Sequence, residues 1–331
     1  MTTAAPKPTR SLGRRLLVGI LLGVVVYGVL VFLRGHEKVR GELAHFDWSA
    51  FGIALALSLG NYLIRFVKWE YYLRVLAIRG VPKGESFLVF LSGFVLTVTP
   101  GKVGEVFKSW VLAELRGVPV ERSAPIVFAE RITDLIGMIA LITVGASVFP
   151  GGLLWALTGS AAVLALLAFV GVPRVGDLVL RTLAGLPVGL GTFFARIKPK
   201  LEAALGGVRD LTTPRHLLLP TVLSLAGWAL EGVGVFFLLR GFGAELDLQR
   251  SVFFYATATL AGALIPVPGG LGVTEKVLEE SMVGLGGVAS GTATAAMILA
   301  RIATLWFAVL LGFLALFALR RIHPKLLRTD D

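Results

Sequence analysis

The chain has 331 residues, 56% hydrophobic and only 16% charged, with a mean hydropathy of +0.82, which excludes an ordinary soluble globular domain. A formal charge of +11 would suggest nucleic-acid binding in a soluble domain; in a chain this apolar it reads as basic loops held at one membrane face, with no nucleic-acid partner. Cysteine is absent, so a disulfide framework, a thiol nucleophile and a Cys-ligated metal site are excluded, and His36, His45, His216 and His323 form no metal-spaced pair.

Residues 1–15 are polar and basic and are expected to lie in the cytoplasm. Leu16–Leu33 is about the length of a span and is too long, with no Ala-x-Ala site after it, for a cleaved signal peptide. The loop 34–47 has mixed charge. Trp48–Phe66 reads as a second span, running into Arg65, Lys68, Arg74, Arg79 and Lys83 with Trp69, Tyr71 and Tyr72 between them. Aromatic residues beside Lys and Arg mark an interface, here the cytoplasmic one.

Residues 87–115 contain an apolar run too short to cross a bilayer, the break Thr99-Pro100-Gly101-Lys102-Val103-Gly104-Glu105 and a second short helical run. The basic residues on both sides, ending with Arg116 and Arg122, call for a re-entrant hairpin that enters and leaves by the cytoplasmic face. Ala124–Val148 then runs out to an uncharged turn, and Leu153–Val172 returns. Residues 173–215 are basic and partly amphipathic and are expected on the cytoplasmic side, against anionic lipid headgroups. Leu217–Leu239 runs out. A second hairpin, 251–285, carries the break Pro266-Val267-Pro268-Gly269-Gly270-Leu271-Gly272-Val273-Thr274-Glu275. Ala289–Leu319 leads to the basic cytoplasmic tail 320–331.

The expected fold is therefore all-α, a polytopic helical membrane protein. It has two halves, 16–150 and 151–319, each of three spans and one re-entrant hairpin. The first half begins inside and the second outside, so the halves have inverted topology, an architecture that permits alternating access around a midplane site. One interval supports the repeat: Arg131 follows Glu105 by 26 positions, and Arg301 follows Glu275 by 26.

These pieces resemble the lysylphosphatidylglycerol synthase transmembrane-domain family, also called flippase-like or UPF0104 proteins. The resemblance rests on Thr-Pro-Gly-Lys-Val-Gly-Glu at 99–105, Glu-Arg-Ile-Thr-Asp at 130–134, Pro-Val-Pro-Gly-Gly-Leu-Gly-Val-Thr-Glu at 266–275 and Arg301 to Trp306, and covers nearly the whole chain. Position 102, often Arg in that family, is Lys here. Family members fused to a soluble aminoacyl-transferase domain make and translocate aminoacylated lipid; without that domain, the resemblance implies lipid translocation or binding and not synthesis.

Arginine near mid-depth costs at least about 2.5–3.5 kcal/mol on insertion scales, so Arg131 and Arg301 should face a partner or water. Asp134, at i+3, and the nearby Glu130 are expected partners of Arg131; Glu275 or a bound phosphate would serve Arg301. Glu105 and Glu275 are read first as partners of Arg131 and Arg301, with capping of the half-helix N-termini or binding of a coupling proton as the alternatives. The breaks free backbone N–H groups at the start of the following half-helix, an end that suits an anion. Pro100 and Pro268 stop the incoming helices, and Gly101, Gly104, Gly269, Gly270 and Gly272 permit close approach or positive φ. The expected substrate-binding set is Lys102, Glu105, Glu130, Arg131, Asp134, Glu275 and Arg301. Glu231 is an isolated mid-span acid, read either as a proton relay or as a hydrogen-bond partner for a neighbouring helix.

No catalytic constellation, cofactor or metal site is expected. The leading function is a flippase-like transporter in the cell membrane, for an amphiphile with an anionic, phosphate-type headgroup. The rivals are a secondary transporter of a small anionic solute, a membrane enzyme acting on a lipid phosphate, for which no nucleophile or metal cluster stands out, and a non-transporting partner of a lipid- or glycan-modifying enzyme. Homodimerisation is left open.

Overall fold

The computed structural model describes residues 36–99, 104–147, 208, 210–265 and 267–327, with a few positions in 157–165. The expected span 16–33, nearly all of 153–172 and most of 173–215 lie outside the described residues, as do Pro100, Gly101, Lys102 and Pro266.

Every regular element among the described residues is helical. In chain order they are α1 (His36–Ala44), α2 (Trp48–Val75), α3 (Lys83–Ser92) continuing as a 3-10 turn (Gly93–Leu96), α4 (Phe107–Arg116), α5 (Val120–Ala146), α6 (Pro214–Gly241), α7 (Leu248–Leu264), a 3-10 turn (Pro268–Gly270), α8 (Val273–Gly284), α9 (Ser290–Arg301), a π-helical turn (Ile302–Trp306) and α10 (Phe307–Ile322). Among the described residues, three helices are long and apolar enough to cross a membrane: Trp48–Val75, Pro214–Gly241 and the continuous rod Ser290–Ile322. The chain is a multi-pass membrane protein. α5, at 27 residues, is roughly 40 Å long, but it carries Glu130, Arg131 and Asp134 in its middle.

Local chemistry sets the boundaries. Asp47 caps α2, accepting from the Ser49 N–H at 3.0 Å, and Asp247 caps α7 by accepting from the Arg250 N–H at 2.8 Å. Gly117, at φ 67°, ends α4 in the left-handed conformation and turns the chain into α5. Two expectations are corrected here. The segment read as the loop 34–47 contains α1, which turns Val39 inward; Val39 and Phe46 lie in the core beside α9. The second span continues through Val75, nine residues beyond its expected end.

Both expected hairpin regions are helix–break–helix elements, α3–α4 and α7–α8, and within each the two arms pack together. In the first break a Cβ on Gly104 would lie 2.6 Å from the Leu96 carbonyl oxygen, so only glycine fits. In the second, Gly269, Gly270 and Gly272 have φ of 62°, 67° and 85° and reverse the chain within four residues.

The packing between elements is reciprocal. α2 packs along α6; α3 packs on α10, and α7 packs on α5. Glycines allow both hairpin contacts: a Cβ on Gly312 of α10 would meet the Val95 backbone nitrogen at 2.7 Å, and one on Gly145 of α5 would meet the Phe253 Cβ at 2.5 Å. Each helix–break–helix element thus leans on the long helix that follows the other one.

Candidate functional site

The two breaks meet inside the protein. Val98, just before the first break, packs with Leu271 of the second and with Leu305, Trp306 and Val309 of the last rod. Around this point lies an unusual density of charge.

In the first half the charge forms a chain of linked pairs, with one further pair on α4 and α5. Glu105, 1% exposed, sits at the first break, where its Oε2 accepts from Arg65 of α2 and from Arg131 of α5, each at 3.1 Å. Thr97 donates to its Oε1 at 3.2 Å. Arg131 also faces Asp134 at 3.1 Å. Asp134 is held more closely by Lys68 of α2, at 2.6 Å, and accepts from Ser224 of α6 at 2.8 Å. Lys108 of α4 donates to Glu130 at 2.6 Å and lies over the rings of Trp69 and Phe90 at 4.7 and 5.3 Å. Among the described residues these pairs set four cations against three carboxylates, an excess of one positive charge.

The second half is simpler. Arg301 donates through Nε to Glu275 at 2.6 Å and through an Nη to the Gly269 carbonyl at 2.9 Å. The other oxygen of Glu275 accepts from the Gly272 N–H at 2.6 Å, so this side chain caps α8 while it pairs with Arg301. The helix N-terminus after the second break is therefore occupied by the protein's own carboxylate. Glu105–Arg131 and Glu275–Arg301 are direct contacts in both halves, each across 26 positions.

Between the two halves is a cavity of about 210 Å³. Arg131 and Asp134 line one side; Arg301, Gly269, Gly270 and Thr274 line the other; Trp228, Leu135, Met138 and Leu305 supply apolar wall. Arg131 is the more open of the two arginines, with 21% of its side chain exposed against 7% for Arg301. Its Nε is buried with no hydrogen-bond partner among the described residues. The cavity therefore presents two guanidinium groups from opposite halves. That suits a compact anion with several acceptor oxygens. A larger, open hollow of about 590 Å³ lies elsewhere, lined by Lys276, Glu279 and Glu280, and neither arginine reaches it.

Of the expected site residues, Arg131, Asp134, Arg301, Gly269 and Gly270 share the cavity wall. Glu105 and Glu275 stand behind the arginines. Gly104, Pro268 and Gly272 shape the breaks without lining the cavity. Glu130 does not pair with Arg131; it turns to Lys108 and is fully buried. Glu231 accepts from Ser58 at 3.1 Å and Asn61 at 2.6 Å, so it meets a neighbouring helix. Sequence reasoning missed Arg65, Lys68 and Lys108. The sequence places the first two at an interface, yet they are 7% and 0% exposed. Their position on the inward face of α2, with Ser58, Asn61 and Tyr62, is the signal that could have found them.

Residues 17–312 match the family described as the lysylphosphatidylglycerol synthase TM region. A UPF0104 membrane protein of Methanocaldococcus jannaschii is 26% identical over 233 residues, covering 69% of this chain and 95% of that protein. One of Methanothermobacter thermautotrophicus is 24% identical over 309 residues, covering 88% and 90%. One of Pyrococcus horikoshii is 24% identical over 329 residues, covering 88% and 94%.

Proposed function

Since the chain belongs to the family of the lysylphosphatidylglycerol synthase TM region, we propose that it moves an amphiphile with an anionic, phosphate-type headgroup between membrane leaflets. The headgroup passes through the cavity between the two breaks while its apolar tails stay in lipid. The observation that carries this reading is the meeting of Arg131 and Arg301, one from each half, on one cavity. At about 210 Å³ the space is smaller than the roughly 300–1,000 Å³ of pockets that enclose whole ligands, which favours a headgroup over an entire amphiphile. The excess positive charge beside it favours an anion.

The architecture we propose is two inverted-topology halves, each with one re-entrant hairpin, α3–α4 and α7–α8. The reciprocal packing of α3 on α10 and α7 on α5 supports it, as a two-fold relation between the halves exchanges these contacts. Non-helical backbone at membrane depth must be buried in protein or line a cavity, and Thr99, Val267, Gly269 and Gly270 on the cavity wall agree with that. In this reading both termini and the basic loops face the cytoplasm at the cell membrane, against anionic lipid, and no chemical step is carried out.

The resting acids have a defined part. Glu105 and Glu275 neutralise the arginines when no headgroup is bound, which makes a buried cation tolerable. An arriving phosphate competes with a carboxylate for the same guanidinium, so binding exchanges one ion pair for another.

The test uses the purified chain in phosphatidylcholine liposomes with traces of fluorescent lipids of different headgroups. The expected result is faster movement of labelled phosphatidylglycerol and phosphatidic acid than of labelled phosphatidylcholine or a neutral glycolipid. Equal movement of all, or movement of none alongside uptake of free phosphate, would overturn the reading in favour of a scramblase or a solute carrier.

A further inference from the structure

Glu231 lies on α6, 3% exposed, at the 18th of its 28 residues. Each carboxylate oxygen accepts from a neutral donor of α2, Oε2 from the Ser58 hydroxyl and Oε1 from the Asn61 amide. Both donors are themselves buried, at 1% and 3% exposure. Asn61 is held in place by Gly227, one turn earlier on α6, where a Cβ would come within 2.4 Å of the amide oxygen. A carboxyl group in this setting can exist in two forms. The Ser58 hydroxyl can donate to a carboxylate or accept from a protonated carboxyl, and the Asn61 donor serves either form.

Among the described residues, charged and titratable groups approach it from α2, α5, α7 and α9. Tyr62 of α2 and Tyr255 of α7 stand within reach of its charge. Tyr62 donates to the Thr304 carbonyl of the π-helical turn at 2.6 Å. The cations that act on these two tyrosines are Arg65 of α2 and Arg301 of α9. α5 meets α6 two turns earlier, where Asp134 accepts from Ser224. The acid is therefore close to the cavity without lining it. Trp228, one turn before it on α6, forms cavity wall, and the Tyr255 ring lies 6.5 Å from that of Trp228.

We infer that Glu231 is a proton-binding site linked to the anion cavity, so that a headgroup and a proton are taken up together. Its linkage half rests on the anion reading of the cavity; the proton site does not. An anion entering beside Trp228 brings negative charge near Glu231 in a low-dielectric interior and raises its proton affinity. By reciprocity, protonation of Glu231 raises the affinity for the anion by the same factor. One proton from water adds to a carboxylate oxygen when the headgroup binds and returns to water when it leaves. The loaded site then carries one negative charge fewer, and a pH difference across the membrane can drive net movement.

Infrared difference spectroscopy on the full chain, in vesicles of phosphatidylcholine with and without phosphatidylglycerol, reads this directly. The expected result is a protonated-carboxyl carbonyl band that grows as pH falls and is lost in Glu231→Gln. The band should appear at higher pH when phosphatidylglycerol is present, and that shift should shrink in the Arg131→Lys, Arg301→Lys double variant. The double variant separates headgroup binding from the surface potential of anionic vesicles, which would act on both proteins alike. Absence of any Glu231-dependent band across the folded pH range would overturn the proton site, and a shift that survives in full in the double variant would overturn the linkage. If the band titrates as expected but labelled lipids do not move in liposomes, the proton site stands and the transport reading fails.

Discussion

Removing the Lys108 charge should be among the most damaging changes in the protein, and removing its partner as well should undo most of the damage. The side chains of Lys108 and Glu130 are 2% and 0% exposed, and their charged atoms are 2.6 Å apart. The second Glu130 oxygen has no hydrogen-bond partner among the described residues, so Lys108 is the close counter-charge that keeps this carboxylate tolerable. Breaking such a pair costs roughly 3–5 kcal/mol. Loss of the contacts with Trp69 and Phe90 adds about 0.5–2 kcal/mol. In Lys108→Met the total should fall at about 3.5–7 kcal/mol, combining these two ranges. In Lys108→Met, Glu130→Met both charges leave and apolar volume replaces them, so stability should return to within about 1–2 kcal/mol of the parent. The control is Lys276→Met. It breaks an exposed Lys276–Glu280 pair at 3.8 Å and should cost under about 0.5 kcal/mol. Reversible unfolding in mixed micelles measures all three. The reasoning fails if Lys108→Met is no worse than Lys276→Met, or if the double variant is no more stable than the single one.

Three further outcomes are expected. Cysteines placed at Glu121 and Glu245, both exposed in this cysteine-free chain, should label from opposite sides of intact cells; labelling of both from one side would defeat the inverted repeat. Gly145→Leu and Gly312→Leu should each destabilise by about 1–3 kcal/mol or more through overpacking, because both glycines admit a hairpin arm; thermal midpoints equal to the parent's would deny that contact. At the polar end of α3, outside the spans, Arg116 and then His323 hold the Glu85 carboxyl below its ordinary value. A depressed pKa contributes stability above the unfolded value, about 4.3, and that contribution is lost as pH falls through the lower folded value, so the acid limb of the stability profile should flatten in Glu85→Gln.

Much of this was legible in the chain because it depends on local chemistry. Proline and glycine clusters inside apolar sequence announce broken helices, and both helix–break–helix elements occur where those clusters stand. The shared 26-residue interval anticipated two Glu–Arg contacts because a repeat carries its pairings with it. What the sequence hid depends on which way a helix turns. Arg65 and Lys68 follow an apolar run and sit among aromatic residues, the usual look of an interface. Only the continuation of α2 to Val75, and its packing along α6, turns that face inward. A charge balance would have hinted at it. Glu105, Glu130 and Asp134 all lie in apolar surroundings, and Arg131 alone cannot neutralise three carboxylates.

The most direct test of the central claim is lipid movement by the Arg131→Lys, Arg301→Lys double variant in liposomes. Lysine keeps each charge and can still pair with Glu105 or Glu275, but it lacks the planar fork that grips phosphate through two hydrogen bonds. The account predicts a protein that inserts and purifies like the parent and loses most movement of labelled phosphatidylglycerol. Asp134→Asn, which orients Arg131 without offering the headgroup a donor fork, should lose less. Full lipid movement by the double variant would contradict the account and leave the two arginines as structural ion pairs.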